Sequence, residues 1–205
     1  FAEFLAKKYD VSVDCITISK NQYDFTKKRI LNSGLNNKVN VKFLDYRDVK
    51  DKYDHVVSIE MIEAVGEEYM DKYFETIKKV LNKDGTAAIQ GIAIKNELFN
   101  RYRANEDFIQ KYIFPGGFLP SINFMEKLIK KNDLKLEKIN TYSDDYARTL
   151  ATWRENFLGV WDKISPLGFD DYFKRMWEFY LSYCEGGFKS RNINLIQFSM
   201  SNRYS

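Results

Sequence analysis

Hydrophobic positions recur along this chain with two periods, and the alternation between them predicts an α/β fold. Phe1, Phe4, Leu5 and Tyr9 fall at helical spacing, so the chain opens inside an amphipathic helix that lacks a capping residue. A natural domain rarely begins at such a point. Val11 to Ile18 follows as a β-branched, buried strand, and Lys20 to Asn32 returns to the helical period with Tyr23, Phe25 and Ile30 apolar and Ser19 placed as its cap. Val39 to Phe43 and Tyr53 to Ile59 read as extended, Tyr69 to Leu81 as a helix, and Thr86 to Ile94 as a hydrophobic strand. Asn82-Lys-Asp-Gly85 reads as the turn between the last two. The order α-β-α-β-β-α-β predicts helices around a largely parallel sheet, a doubly wound, Rossmann-like architecture.

Beyond Ile94 the alternation breaks. Arg101 to Tyr112 is polar and helical, and Phe114-Pro-Gly-Gly-Phe-Leu-Pro120 is a loop held by turn residues. Helical stretches over Ile122 to Lys131, Tyr146 to Leu158 and Tyr172 to Cys184 follow, and Ile193 to Met200 predicts a closing strand. The inserted aromatic-rich segments, over 95–133 and 144–187, predict a lid above the carboxyl ends of the strands, where open α/β sheets bind ligands. No stretch reads as a linker, so a single domain is expected over 1–205.

Composition narrows the function classes. The 205 residues, 44% hydrophobic and 16% aromatic, are enough for one substantial core. Thirty-two basic against 29 acidic side chains leave a net charge of +3, too balanced for a nucleic-acid footprint, though the sign suits an anionic surface. Cys15 and Cys184 lie far apart with no metal-ligand spacing around them, so neither a zinc site nor a disulfide framework is indicated, and a cytoplasmic, reducing compartment is the default. No run approaches the roughly 18 apolar residues of a membrane span. Any membrane contact is therefore expected to be peripheral.

Several segments carry a family resemblance in combination. They are Val11-Ser-Val13 with Ile16-Thr-Ile-Ser-Lys-Asn-Gln22, Asp45-Tyr-Arg-Asp48, Val57-Ser-Ile-Glu-Met-Ile-Glu-Ala-Val-Gly66, Tyr112-Ile-Phe-Pro-Gly-Gly-Phe-Leu-Pro-Ser121, Asp145-Tyr-Ala-Arg-Thr-Leu-Ala-Thr-Trp153 and Phe188-Lys-Ser-Arg191. In order and spacing these resemble the cyclopropane-fatty-acid synthase family, which includes the mycolic-acid cyclopropane synthases, over nearly the whole chain. The resemblance implies a class I S-adenosylmethionine-dependent methyltransferase. Its reaction passes a methyl group to the cis double bond of a phospholipid acyl chain, and a base then removes a proton so that a cyclopropane ring closes.

In the family that base is a bound bicarbonate. A small oxyanion in a dry pocket needs donors around it, and its charge stabilises the neighbouring cation. The resemblance places Glu63 beside the bicarbonate, gives the Tyr146 hydroxyl and the Ile92 backbone amide as donors to it, and puts Gln90 where bacterial members carry histidine. A glutamine amide can donate to an anion but cannot titrate near neutral pH. Thr17, Ile18 and Gln22 match the segment at the ribose and methionine end of S-adenosylmethionine, Tyr46 and Arg47 the segment beside the adenine, and Ile59 completes the cofactor set. No metal is implied. The family's Gly-Cys-Gly-Trp-Gly-Gly loop is expected immediately before Phe1, with a strand and a bicarbonate-touching cysteine further upstream. Without those glycines tight cofactor binding is not expected, and without the strand an apolar gap is.

Blander readings stand beside these. An isolated glutamate after a strand is more often solvated or capping, a tyrosine more often packing, and a strand threonine simply β-branched. Trp153, Phe157, Trp161, Trp177, Phe179 and Tyr180 suit either an acyl-chain tunnel or an ordinary core, and cores are the commoner use. His55 reads as structural. Lys127, Lys130, Lys131 and the tail arginines suit either lipid headgroups or a solvated face. Two other functions compete with the lipid reading: a small-molecule N-methyltransferase of the alkaloid type, and a catalytically inactive remnant that binds lipid or a partner. The first would favour a Glu/His pair where this chain has Glu63-Ala64. A homodimer is left open.

Overall fold

A computed structural model describes residues 1–202 and divides the chain into two compact units, Phe1–Asp51 and Lys52–Ser205. In the first, α1 (Ala2–Lys8) leads to β1 (Val13–Thr17), α2 (Lys20–Asn32) and β2 (Val39–Phe43). The helix α1 begins at Phe1 without a side-chain cap, as its sequence predicts, whereas the Ser19 hydroxyl accepts the Gln22 amide at the start of α2. β1 and β2 pair in parallel from Val13 opposite Val39 to Thr17 opposite Phe43. A small core of Ala6, Ile30 and Val39, extended by Val13, Cys15, Leu35 and Val41, joins both helices to this sheet. A 3₁₀ turn at Tyr46–Asp48 follows β2, opened by Asp45, which accepts from the Arg47 backbone and pairs with its guanidinium.

The second unit carries β3 (Tyr53–Ile59), α3 (Ile62–Val65), α4 (Met70–Val80), β4 (Leu81–Ile94), α5 (Asn96–Arg103), α6 (Ile122–Lys131), β5 (Lys135–Thr141), α7 (Ser143–Gly159), α8 (Trp161–Ile164), α9 (Asp171–Lys189) and β6 (Ile193–Ser201). Its sheet runs β3-β4-β6-β5. The β3–β4 pair is parallel, and β6 lies antiparallel to both neighbours. The architecture is the expected mixed α/β type, although two of the three pairings in this sheet are antiparallel where a largely parallel sheet is predicted. Helix α4 shows why its segment is helical: Met70, Tyr73, Phe74, Ile77 and Val80 sit at spacings of three and four, and all are buried. Burying each such side chain is worth about 1.5–3 kcal/mol.

Three local features depart from the predictions. Asn82 to Gly85 is no free turn but an irregular start to β4, with Leu81 paired to Tyr53, Thr86 to His55, and Asp84 at a positive φ of 62°. The Arg101–Tyr112 helix is two pieces, the end of α5 and a π turn at Ile109–Ile113. Strand β5 is absent from the periodicity, because its polar sequence becomes a strand only by pairing with β6. Strand β3 forms the edge of its sheet, with Val57 and Ile59 45% and 49% exposed along it.

The C-terminal helices pack as a layer on the sheet. α7 lies against α9, and both contact β6 through Ala147, Leu150, Leu181, Phe188 and Leu195. Of the aromatic stripe, Trp161 is buried and Phe157, Trp177 and Tyr180 join this core, while Trp153 and Phe179 stand exposed. His55 bonds the Thr86 hydroxyl through Nδ1 at 2.8 Å across the strands, a structural role. Lys131 pairs with Asp71 and Arg191 with Asp144; Arg203 lies outside the described residues. No described helix is long and apolar enough to cross a membrane.

Candidate active site

Strand β3 ends at Ile59 opposite Gln90, while parallel β4 runs on to Ile94, and the polypeptide beyond Ile59 turns sharply through Glu60 at a φ of 51°. That left-handed conformation costs a non-glycine residue roughly 1–2 kcal/mol. The Glu60 amide donates to the Gln90 carbonyl at 2.8 Å, and the chain then enters the short helix α3, which carries Glu63.

Glu63 is only 8% exposed. Its Oε1 accepts the Ile92 amide at 2.5 Å, and its carbonyl accepts the Phe118 amide at 2.9 Å. The Pro-Gly-Gly-Phe loop thus anchors the backbone that carries the acid. Gly91 makes the approach possible, since a Cβ there would lie 2.5 Å from Ile62 Cγ2 and 3.4 Å from Glu63 Oε1. Oε2 of Glu63 is buried and has no partner among the described residues. Burial pushes the Glu63 carboxyl above its usual range, helped by the nearby Glu60 charge and opposed by the amides.

A second carboxylate, that of Glu60, sits at the centre of a hydrogen-bonded chain. Gln197 on β6 donates to Gln90 Oε1 at 2.8 Å, which orients the amide so that Gln90 Nε2 donates to Glu60 Oε1 at 2.8 Å. The Tyr146 hydroxyl, from α7, donates to Glu60 Oε2 at 3.2 Å. Tyr146 is held by edge-on contact with Phe188, ring centroids 4.8 Å apart. Burial, then the charges of Glu60 and Glu63, push the Tyr146 phenol well above its usual value, so it remains a donor.

All four expected catalytic positions, Glu63, Tyr146, Gln90 and Ile92, therefore meet around one point, but their partners are not the expected ones. The resemblance assigns three donors to a bicarbonate ion. In the structure the Ile92 amide is taken by Glu63, and the Gln90 amide and Tyr146 hydroxyl by Glu60. Glu63 Oε2, buried without a partner among the described residues, is an acceptor when ionised. A further anion at ~4 Å from one of these carboxylates meets a repulsion of about 4 kcal/mol at a near-surface dielectric. Bicarbonate does not fit this donor set as it is folded. Glu60 and Gln197 escape reading from the sequence; the only signals are a charged residue directly after an apolar strand and a lone glutamine inside the closing one.

In the first unit the expected cofactor residues Thr17 and Gln22 line an open groove of about 480 Å³ with Cys15, Ile16, Phe25 and Val41. The Thr17 hydroxyl donates to Gln22 Oε1 at 2.8 Å and accepts the Ser19 amide at 3.1 Å, at the carboxyl end of β1. Ile18, 71% exposed, extends from the same strand end. Tyr46 and Arg47 follow the end of the neighbouring β2, the guanidinium 5.9 Å from the tyrosine ring centroid. Polar groups at one end and apolar walls along the groove suit a nucleoside thioether or sulfonium. Ile59 belongs to the second unit, at the end of β3.

This fold and these motifs have known counterparts. The family model described as mycolic acid cyclopropane synthetase matches residues 1–198. The chain is 38% identical over 186 residues to the tuberculostearic acid methyltransferase UfaA1 of Mycobacterium tuberculosis, covering 90% of this chain and 44% of that protein. It is 35% identical over 200 residues to the cyclopropane-fatty-acyl-phospholipid synthase of Escherichia coli K12, covering 98% and 50%. The crystal structure of the mycolic acid cyclopropane synthase CmaA1 complexed with SAH and CTAB superposes with a TM-score of 0.86 at 26% identity, over 96% of this chain and 72% of that one. The chain spans about half the length of these curated relatives. With the profile match running through the acid cluster and the groove alike, the chain belongs to the mycolic acid cyclopropane synthetase family of S-adenosylmethionine-dependent lipid methyltransferases.

Proposed function

We propose that the complete protein transfers the methyl group of S-adenosylmethionine to a cis double bond in a phospholipid acyl chain and closes it to a cyclopropane. The observation that carries this reading is the paired acids, Glu60 and Glu63, backed by Gln90, Tyr146 and the Ile92 amide at the carboxyl ends of β3 and β4. An alkene is a poor nucleophile and its methylation leaves a carbocation, so the protein must offer negative charge and a proton acceptor there. S-adenosylmethionine, when bound, supplies the electrophilic methyl group. Thr17 and Gln22 hold its ribose end, with Ile18, Tyr46 and Arg47 around the rest of the nucleoside.

Trp153 and Phe179, exposed on α7 and α9, offer apolar surface to the acyl chain, and the helices of 95–133 and 144–187 serve as its lid. The protein works peripherally at a membrane surface, from the cytoplasmic side. The N-methyltransferase alternative lacks support at Ala64, where a histidine would be wanted.

Expression of the complete protein in a bacterium deprived of its own cyclopropane synthase provides the test. Fatty acid methyl esters analysed by gas chromatography and mass spectrometry are expected to show monounsaturated chains gaining one CH₂ and losing their double bond. A methyl-branched product, of the kind the name of UfaA1 suggests, would keep the lipid substrate and change the outcome. Unaltered lipids beside a methylated amine would overturn the reading.

A further inference from the structure

We propose that Glu60 is the general base of this site, its carboxylate standing in place of the bicarbonate ion and making the reaction independent of it. The inference rests on the cyclopropane-forming reading above. Three observations carry it. The two side-chain donors expected to hold the anion, Gln90 Nε2 and Tyr146 Oη, both point at Glu60, one to each oxygen, at 2.8 and 3.2 Å. The third donor, the Ile92 amide, is closed off by Glu63 at 2.5 Å. Glu60 also keeps a left-handed backbone, φ 51°, that a side-chain-bearing residue adopts only under constraint, and such outliers gather at functional sites.

A carboxylate has about four acceptor positions, and the two hydrogen bonds to Glu60 leave one free on each oxygen. Both donors are themselves positioned: Gln197 fixes the Gln90 amide, and Phe188 the Tyr146 ring. Glu60 is exposed, so a proton it takes can pass to solvent. Buried Glu63 lies near enough for its charge to act on Tyr146 and for the Glu60 charge to act on it, a second acid beside the cluster.

The step balances on these groups. The alkene π pair bonds to the sulfonium methyl carbon while the C–S pair leaves with sulfur. The cationic chain then gives one proton of the new methyl group to Glu60, and the freed C–H pair forms the second ring bond. Glu60, now a carboxylic acid, returns the proton to water.

The complete protein tests this with vesicles of a cis-monounsaturated phospholipid and S-adenosylmethionine, in buffer stripped of carbon dioxide and in buffer with added sodium bicarbonate. Wild-type turnover is expected to be equal in both, within about twofold. Glu60→Gly suits the positive φ and releases both donors; it should lose turnover by roughly 10²–10⁴-fold and recover part of it with sodium bicarbonate or formate. A readout without turnover is ¹³C NMR of labelled bicarbonate, whose line should broaden with Glu60→Gly and not with wild type.

Wild-type activity that falls on stripping carbon dioxide and returns with bicarbonate overturns the assignment, as does a Glu60→Gly variant of full activity, and either leaves the acyl-chain reading standing. Conversely, methylation of another acceptor with the same bicarbonate independence and the same rescue supports Glu60 as the base and overturns the acyl-chain reading.

Discussion

The hydroxyl of Tyr146 lies 3.2 Å from Oε2 of Glu60, joining helix α7 to the end of strand β3 across 86 residues of sequence. This contact ties the C-terminal helical layer to the acid cluster. Removing the hydroxyl alone, as Tyr146→Phe, keeps the ring against Phe188 and deletes the donor. Turnover in the complete protein should fall by roughly 10- to 100-fold, with unfolding free energy changed by about 1 kcal/mol or less. Steady-state lipid assays and urea titration read the two effects separately. A variant with wild-type turnover would show that the hydroxyl positions nothing of consequence.

Glu63→Gln should abolish product, by at least roughly a hundredfold, and leave S-adenosylhomocysteine affinity nearly unchanged. It carries a stability signature too. Burial holds the Glu63 carboxyl above its usual 4.5, so the folded chain binds this proton more readily than the unfolded chain. Its contribution to stability is therefore full below 4.5 and is lost as pH rises through the raised value. Glutamine cannot ionise, so the variant should gain on wild type in urea titrations at about pH 8 compared with about pH 4. Equal differences at both values would remove burial as the cause.

Gly91→Ala asks whether close packing seats the acid. The added methyl would meet Ile62 Cγ2 at 2.5 Å, and Ile62 is only 1% exposed, so it has little room to yield. A loss of about 1–3 kcal/mol is expected from overpacking, together with reduced turnover as Glu63 shifts from the Ile92 amide. Ile62→Ala, which deletes the clashing atom, should recover part of that loss in a double-mutant cycle. Strict additivity of the two substitutions would place the strain elsewhere.

Thr17→Val preserves the shape of β1 and removes the hydroxyl that joins Gln22 to the Ser19 amide. Calorimetry with S-adenosylhomocysteine and the complete protein should show affinity falling by roughly tenfold, the worth of about one hydrogen bond. Bicarbonate independence should be untouched. An unchanged affinity would move the nucleoside away from this strand end.

Much of the fold could be read locally. The cap at Ser19, the three- and four-residue spacing of Met70 to Val80, and the apolar run of Tyr53 to Ile59 each announce their element within a few residues, because helix and strand periods are short-range properties. Strand β5 announces nothing, since Lys135 to Thr141 is strand only through its bonds to β6. The bulged start of β4 likewise depends on Tyr53, which no local pattern at Asn82 to Gly85 contains.

The same division runs through the site. Glu63, Gln90, Ile92 and Tyr146 come together as one chemical group only through the family resemblance that their motifs carry; taken singly, each has a blander reading. Which donor serves which acceptor is another matter, because Gln90 lies 30 and Tyr146 86 positions from Glu60. Only the folded sheet and the helix laid over it turn both toward that carboxylate rather than toward a bound ion. Hydrogen bonding selects partners by distance and angle in space, and sequence order carries neither.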